Sequence, residues 1–319
     1  MTEPGRPTPL VDVRGLAKTF PDGTRALAGV DFRIARPGVF GIVGPDGAGK
    51  TTLLRSLMGL LTFDAERVEV LGHRLPQDAR PLKAEVGYVP QIWGLYSDMS
   101  ITENLQFFAT IRGISRDEFN VRKTALLEAT ALSPFADRLA GQLSGGMKQK
   151  LAIACALLHH PRLLILDEPN NGVDVAARHE VWAILTQSPE TFVIISTNYV
   201  EEAERCDELI YLMNGRIVTR GTPAAILRDH AAHVTEYRIH GHDLSRLAVN
   251  LAGEPWLRAS TFLGNGVAIE LAEDLPPDEV ERRVRAQPEG GDRVSLIERK
   301  APDMNTALRA LTREAPGDA

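Results

Sequence analysis

Gly44-Pro45-Asp46-Gly47-Ala48-Gly49-Lys50-Thr51 carries the pattern Gly, four residues, Gly, Lys, Thr. Before it, Val39-Phe40-Gly41-Ile42-Val43 is a short apolar run that reads as a buried strand, and after it Thr52-Leu53-Leu54-Arg55-Ser56-Leu57-Met58 has helical spacing. A strand, a glycine loop and a helix in that order aim backbone N–H groups and a helix N-terminus at one point, which suits a polyphosphate. Glycine lets the backbone curl round the phosphates without a Cβ in the way. Lys50 would reach the terminal phosphates, the Thr51 hydroxyl would serve a bound Mg²⁺, and Thr52 is counted with the loop as nucleotide-binding. The stretch therefore predicts an α/β core that binds a nucleoside triphosphate.

A second apolar run, Leu163-Leu164-Ile165-Leu166, ends in Asp167-Glu168. Acids at the C-terminal end of a buried parallel strand lie on the ligand edge of such a sheet. Asp167 is expected to hold Mg²⁺ through water and Glu168 to polarise an attacking water.

These residues resemble the ATP-binding cassette (ABC) ATPases. Leu143-Ser144-Gly145-Gly146-Met147-Lys148-Gln149-Lys150 is similar to that family's signature, and Tyr88-Val89-Pro90-Gln91 to its glutamine loop. The resemblance places Gln91 near the metal and the water, Phe20 under an adenine ring, and Gly172-Val173-Asp174 in the loop that crosses a dimer interface. It covers roughly residues 10 to 225 and keeps the family's motif order. Ser144, Gly145 and Gly146 open a helix, a second anion site by the same physics as the first. In the family that surface closes over the ATP of a second cassette, head to tail, so a two-fold pair buries two nucleotides.

The stretches Pro45 to Gly49, Gly94 to Ser100, Asn104-Leu105 and Met147 to Lys150 resemble the ATPase subunits of ABC-2-type bacterial multidrug exporters. That resemblance implies a separate membrane permease as partner and a place on the cytoplasmic face of the inner membrane. It also makes Ile92 to Asn104 a candidate transmission surface, although Trp93, Leu95 and Tyr96 read equally well as core. One position departs from the pattern. After Phe192-Val193-Ile194-Ile195-Ser196-Thr197 the family places a histidine at the γ-phosphate, and here Asn198 stands there. Asparagine donates a hydrogen bond but carries no positive charge and relays no proton. Asn170-Asn171, where threonine or serine is usual, is a second departure. The two together predict a site that binds ATP and cuts it slowly. A homodimer would carry two such sites, whereas in a heterodimer this chain's signature would complete a competent site on the partner.

Composition narrows the alternatives. With 36 basic and 42 acidic residues the net charge is −6, which opposes a nucleic-acid footprint. No run approaches the ~18 apolar residues a membrane helix needs, and Met1 to Arg6 has no apolar signal region, so membrane attachment is expected through another polypeptide. Cys155 and Cys206 fall in predicted helices without metal spacing and read as reduced buried thiols. His159-His160 and the pair His240, His242 lack converging carboxylates or cysteines and read as ordinary turn and strand residues. Ribosome-associated relatives carry two cassettes and chromosome-associated ones long coiled coils; neither pattern is present. A regulatory cassette that binds ATP and hydrolyses little is the remaining alternative.

The expected architecture is thus a P-loop ABC cassette over residues 1–231, with a RecA-like core, an antiparallel β edge and a helical signature subdomain at about 92–160. Residues 232–319 are expected to form a small α+β domain. Its β-α-β-β-α-β order, with a hairpin at Gly264-Asn265-Gly266, suggests a ferredoxin-like sandwich. Dimer contact or regulation, and simple packing, are both open roles for it.

Overall fold

The computed structural model describes residues 9–171, 173–186, 192–231, 234–264 and 266–314. Their contacts fall into two units that divide after Pro223. In the first unit the elements run β1 (Val11–Thr19), β2 (Arg25–Ile34), β3 (Val39–Val43), α1 (Lys50–Leu57), β4 (Arg67–Val70), β5 (His73–Arg74), α2 (Ala79–Glu85) and β6 (Val86–Val89). They continue through α3 (Ile101–Ile111), α4 (Arg116–Ala129), α5 (Gly145–Leu157), β7 (Leu163–Asp167), α6 (Val175–Thr186), β8 (Phe192–Thr197), α7 (Val200–Ala203), β9 (Glu208–Met213) and β10 (Arg216–Gly221).

Two sheets enclose α1. One is antiparallel, in the order β2-β1-β4-β5, with Val11 opposite both Ile34 and Val70. The other runs β10-β9-β3-β8-β7-β6 and is parallel from β9 to β6. β3, β7 and β8 are buried along their whole length, as parallel strands covered on both faces must be. Leu53, Leu54 and Leu57 of α1 are wholly buried in the core the sheets share, together with Val11, Leu16, Phe40 and Ile194. At the far edge Asn214 and Gly215 both take positive φ, so β9 and β10 close through the two-residue turn their sequence predicts.

The segment between β6 and β7 forms a helical lobe with its own core of Ile101, Leu105, Phe119, Leu127, Leu132 and Leu151. α3 begins with a capping box. The Ser100 hydroxyl accepts from the Glu103 N–H, and the Glu103 carboxylate from the Ser100 N–H. Ser100→Ala should cost about 1 kcal/mol, visible as a lower thermal unfolding midpoint. An unchanged midpoint would show that the lobe's packing, not its cap, starts this helix. Within Ile92 to Asn104, Trp93 donates to the Gln149 side chain at 2.6 Å and Leu95 packs on the lobe's core. The wholly buried Asn104 clasps the loop before it, bonding the backbone of Tyr96, Met99 and Ser100. Ile92 is 84% exposed.

The second unit comprises α8 (Pro223–Ala231), β11 (Glu236–Gly241), α9 (Ser245–Leu251), β12 (Leu257–Phe262), β13 (Gly266–Leu271), α10 (Pro277–Arg285), β14 (Val294–Lys300) and α11 (Met304–Glu314). Its sheet order, β12-β13-β11-β14, is the ferredoxin-like one. Tyr237, Ile239, Val267 and Ile269 pack with Leu247, Leu251, Val280 and Val284. Contacts divide the chain after Pro223, which places most of α8 in the second unit, ahead of the expected boundary at 231. Cys155 lies in α5 as expected, but Cys206 comes after α7 in a loop; both are buried, which pushes their thiol pKa values up. The hairpin residue Asn265 and the loop residue Gly172 lie outside the described residues.

Candidate active site

Four of the parallel strands deliver their C-terminal ends to one edge. Register aligns Val43 of β3 with Thr197 of β8, Asp167 of β7 with Ser196, and Val89 of β6 with Leu166. The residues just past those ends are the phosphate loop, Glu168, Asn198 and Gln91, so topology alone gathers them.

Two glycines of the loop have no substitute. A Cβ on Gly44 would stand 2.1 Å from the Leu212 carbonyl oxygen, and one on Gly49 2.4 Å from that of Ala26. Gly49 also caps α1 at φ +103°, in the left-handed region. Pro45, Asp46 and Gly47 are exposed, whereas Ala48 is buried. The Lys50 ammonium lies beneath this arch and donates to the carbonyls of Gly44 (2.9 Å) and Pro45 (3.0 Å). It also forms an ion pair with Glu168 at 2.9 Å; the two side chains are 3% and 11% exposed.

Asp167 is wholly buried. Its Oδ1 accepts from the Thr51 hydroxyl at 3.0 Å and from the Ser196 hydroxyl at 2.8 Å, and its Oδ2 from the Tyr88 hydroxyl at 3.4 Å. Burial first, and the Asp167 charge next, push the Tyr88 phenol above its usual range and keep it a donor. Glu168 adopts φ +48°, strained for a residue with a Cβ. The turn is held by its N–H, which donates to both the carbonyl and the hydroxyl of Ser196. It swings the carboxylate back over the loop, where the Gln91 amide donates to Oε2 at 2.9 Å. From β8, the Asn198 amide donates to Asp46 Oδ1 at 3.1 Å. Lys50, Thr51, Gln91, Asp167, Glu168, Asn198 and Asp46 are thus one connected polar network.

Thr52 sits in the first turn of α1. Phe20 is half-buried in the turn between β1 and β2 with the Lys18 ammonium 5.2 Å from its ring; β2 leads from that turn to Ala26, which backs onto Gly49. Ser144 caps α5, accepting from the Met147 N–H at 3.3 Å. Gly146 abuts α6: a Cβ there would lie 2.5 Å from that of Ala177. The signature stands on the helical lobe, and among the described residues no hydrogen bond joins it to the phosphate loop. Of the second departure, Asn170 is 1% exposed and its amide donates to Glu202 at 2.5 Å, whereas Asn171 is exposed. Sequence reasoning assigned no role to Ser196, Glu202 or the Tyr88 hydroxyl. A hydroxyl at the end of the apolar run Phe192 to Ile195, facing another strand's acid, is the signal that would have found Ser196.

The ABC transporter family profile matches residues 27–171. The probable multidrug ABC transporter ATP-binding protein YbhF of Escherichia coli is 37% identical over 88% of this chain and 49% of its own length. The Nod factor export ATP-binding protein I of Ralstonia nicotianae is 37% identical over 77% of each chain. The chain belongs to the ABC transporter family, as an ATP-binding cassette. ATP hydrolysis coupled to transport is that family's activity. Among solved structures, cbiO1 from Clostridium perfringens, described as part of the ABC transporter complex cbiONQ, superposes with a TM-score of 0.64 at 28% identity, over 69% of this cassette-bearing chain and 91% of its own. This chain spans about half the length of YbhF.

Proposed function

We propose that this cassette is the ATP-hydrolysing subunit of a bacterial exporter of the ABC-2 type, working with a separate membrane permease at the cytoplasmic face of the inner membrane. The convergence of Lys50, Thr51, Gln91, Asp167, Glu168 and Asn198 at one sheet edge carries this reading. Gly44 to Thr52 bind the phosphates through backbone N–H groups, Lys50 and the start of α1, and Phe20 stacks on the adenine. The protein offers a metal hard oxygens in small number, the Thr51 hydroxyl and the Asp167 carboxylate, 3.0 Å apart, and by resemblance the Gln91 amide oxygen. Among the described residues no group of three or more His, Cys, Asp or Glu side chains could hold a metal, so a cage is absent. Mg²⁺ fits such a set, since it keeps several waters and takes substrate phosphates as ligands. When bound, Mg²⁺ neutralises charge on the phosphates. Glu168 orients the attacking water and accepts its proton, Gln91 positions Glu168, and Asn198 donates toward the γ-phosphate.

Ser144, Gly145 and Gly146 face the nucleotide of a second cassette, identical or not. Nod factor export ATP-binding protein I is named for export and YbhF as a probable multidrug transporter subunit, and a role of the former kind is proposed here. No helix among the described residues is long and apolar enough to cross a membrane, in keeping with a separate permease.

A groove of about 770 Å³ between the sheet and the helical lobe is proposed as a permease contact in addition to Ile92 to Asn104; Met58, Leu60, Leu82, Phe108 and Ile111 line it, with Tyr88. Its rim is cationic. Lys83, Arg112 and Arg122 outnumber Glu118, and His159 stays uncharged because burial, with Arg112 beside it, lowers its pKa to about 4. An amphipathic permease segment with carboxylates flanking an apolar face fits this surface. Tyr88 connects it to the chemistry, lining the groove while its hydroxyl donates to Asp167. Ile111→Glu, at a site 64% exposed, should leave the isolated chain's ATP turnover unchanged and cut recovery of the membrane partner at least tenfold. Undiminished recovery would remove the groove from the interface.

The test of the whole reading is purification from membranes, mass identification of what accompanies the chain, and an ATPase assay with and without it. A polytopic membrane partner and turnover are expected. A chain that binds ATP yet shows no turnover in the complex would favour the regulatory cassette, the reading that Asn198 supports. In a homodimer both sites carry Asn198, whereas a partner cassette with histidine would form the faster site with this chain's signature.

A further inference from the structure

Glu202, in the short helix α7, is 4% exposed and lies outside the network that meets the phosphates. Its Oε1 accepts from the Asn170 amide at 2.5 Å. Asn170 and Thr197 are both 1% exposed. Each belongs to a loop that ends at the γ-phosphate side of the site. Asn170 is two residues past Glu168 in a tight turn, in which the Asn171 N–H donates to the Glu168 carbonyl at 3.2 Å. Thr197 immediately precedes Asn198; its carbonyl accepts from the Gly44 N–H at 3.2 Å, and its Oγ1 from the Tyr199 N–H at 2.9 Å. Glu202 therefore ties the turn after β7 to α7, the helix that follows β8 and Asn198, while Thr197 at the end of β8 holds the phosphate loop through Gly44.

We propose that Glu202 is a positioning residue for ATP hydrolysis, fixing Asn170 against α7 so that Glu168 and Asn198 face the γ-phosphate together. The inference rests on the hydrolytic reading of the site. A bland structural acid does not account for the arrangement. A carboxyl in so dry a place costs several kcal/mol unless paired, and Arg178, the cation nearest in effect, is committed to stacking on Tyr199 at 4.1 Å. Desolvation pushes the Glu202 pKa up, against the nearby Thr197 hydroxyl, the Asn170 hydrogen bond and the Arg178 charge that lower it; Glu201 adds to the rise. A glutamine amide keeps the oxygen that accepts from Asn170 and removes the charge. Beside Glu202 a cavity of about 290 Å³, lined by Arg178, His179, Trp182, Glu201 and Arg205, leaves α7 room to shift once the tie is cut.

The test compares Glu202→Gln, Glu202→Leu and Asn170→Ala in the full chain, reading kcat and KM for MgATP and the affinity for a non-hydrolysable ATP analogue. Glu202→Leu and Asn170→Ala should each lower kcat about tenfold with KM and analogue affinity within twofold. Glu202→Gln should keep at least half the native rate. The double variant Glu202→Leu, Asn170→Ala should be no slower than either single one, because one link is broken in each. If Glu202→Gln is as slow as Glu202→Leu, if analogue affinity falls in step with kcat, or if the two single losses multiply, the proposal is overturned. Asn170→Ala removes no apolar packing and keeps the comparison available should leucine at 202 disturb the fold. The unaltered chain's rate reports on the site as a whole, whereas only ratios between variants report on Glu202.

Discussion

Asn198→His should raise the chain's ATP turnover at neutral pH by at least tenfold. The Asn198 amide occupies a position 3.1 Å from Asp46, at the mouth of the phosphate loop and one residue past the end of β8. An amide there offers one donor of fixed, neutral character. An imidazole in the same place would lie beside the Asp46 carboxylate, and an adjacent anion favours the protonated ring. The site would gain a positive charge at the γ-phosphate and a group able to pass a proton, and general acid–base groups contribute about 10²–10⁴-fold where they act fully. The charge is present at low pH and lost as pH rises through the imidazole's range, so the gain should fade above that range. The native chain has no such dependence at this position. ATP affinity should change little, because Lys50 and the backbone N–H groups of the loop are untouched. A variant no faster than the native chain would mean that Asn198 does not limit hydrolysis, and the slow-site reading would fall. Adding a second, histidine-bearing cassette to the native chain should produce the same acceleration if its intact signature serves a partner's site.

The sheet edge was legible in the sequence because each functional residue sits directly beyond an apolar run. Val39 to Val43, Leu163 to Leu166 and Phe192 to Ile195 are uninterrupted buried strands, and Gly44, Asp167 and Thr197-Asn198 are where they stop. The ferredoxin-like order of the second unit was legible for a different reason: alternation and turn chemistry are local. What the sequence withheld was long-range pairing. Nothing near Glu202 in the chain says that its partner is Asn170. Cys206 looked helical because the chain after Asn198 reads as one helix, whereas α7 spans only Val200–Ala203. The Lys50–Glu168 pair was equally hidden, since the loop motif assigns Lys50 to phosphate alone.

That pair gives the second large expected effect. Lys50→Met should destabilise the protein as well as end ATP turnover, and adding Glu168→Gln should restore part of the lost stability without restoring activity. Lys50 and Glu168 are nearly buried and 2.9 Å apart, and the lysine also satisfies the carbonyls of Gly44 and Pro45. Removing one partner of a buried pair costs about 3–5 kcal/mol, because the other charge is left without compensation. At roughly 2–4 °C per kcal/mol for a unit of this size, the thermal midpoint should fall by about 10 °C. Glu168→Gln removes the stranded charge and keeps an amide for Gln91 to meet, so the double variant should recover a substantial part of that fall. In the proposed site, bound phosphates would compete with Glu168 for the same ammonium. Saturating ATP should therefore stabilise the native chain by about 2.7 kcal/mol at a hundred times its Kd, and should add nothing to Lys50→Met. If the double variant is less stable than Lys50→Met, the two side chains are not coupled. Lys50 would then act on bound nucleotide alone, and the hold it has on Glu168 would play no part in keeping that carboxylate over the loop.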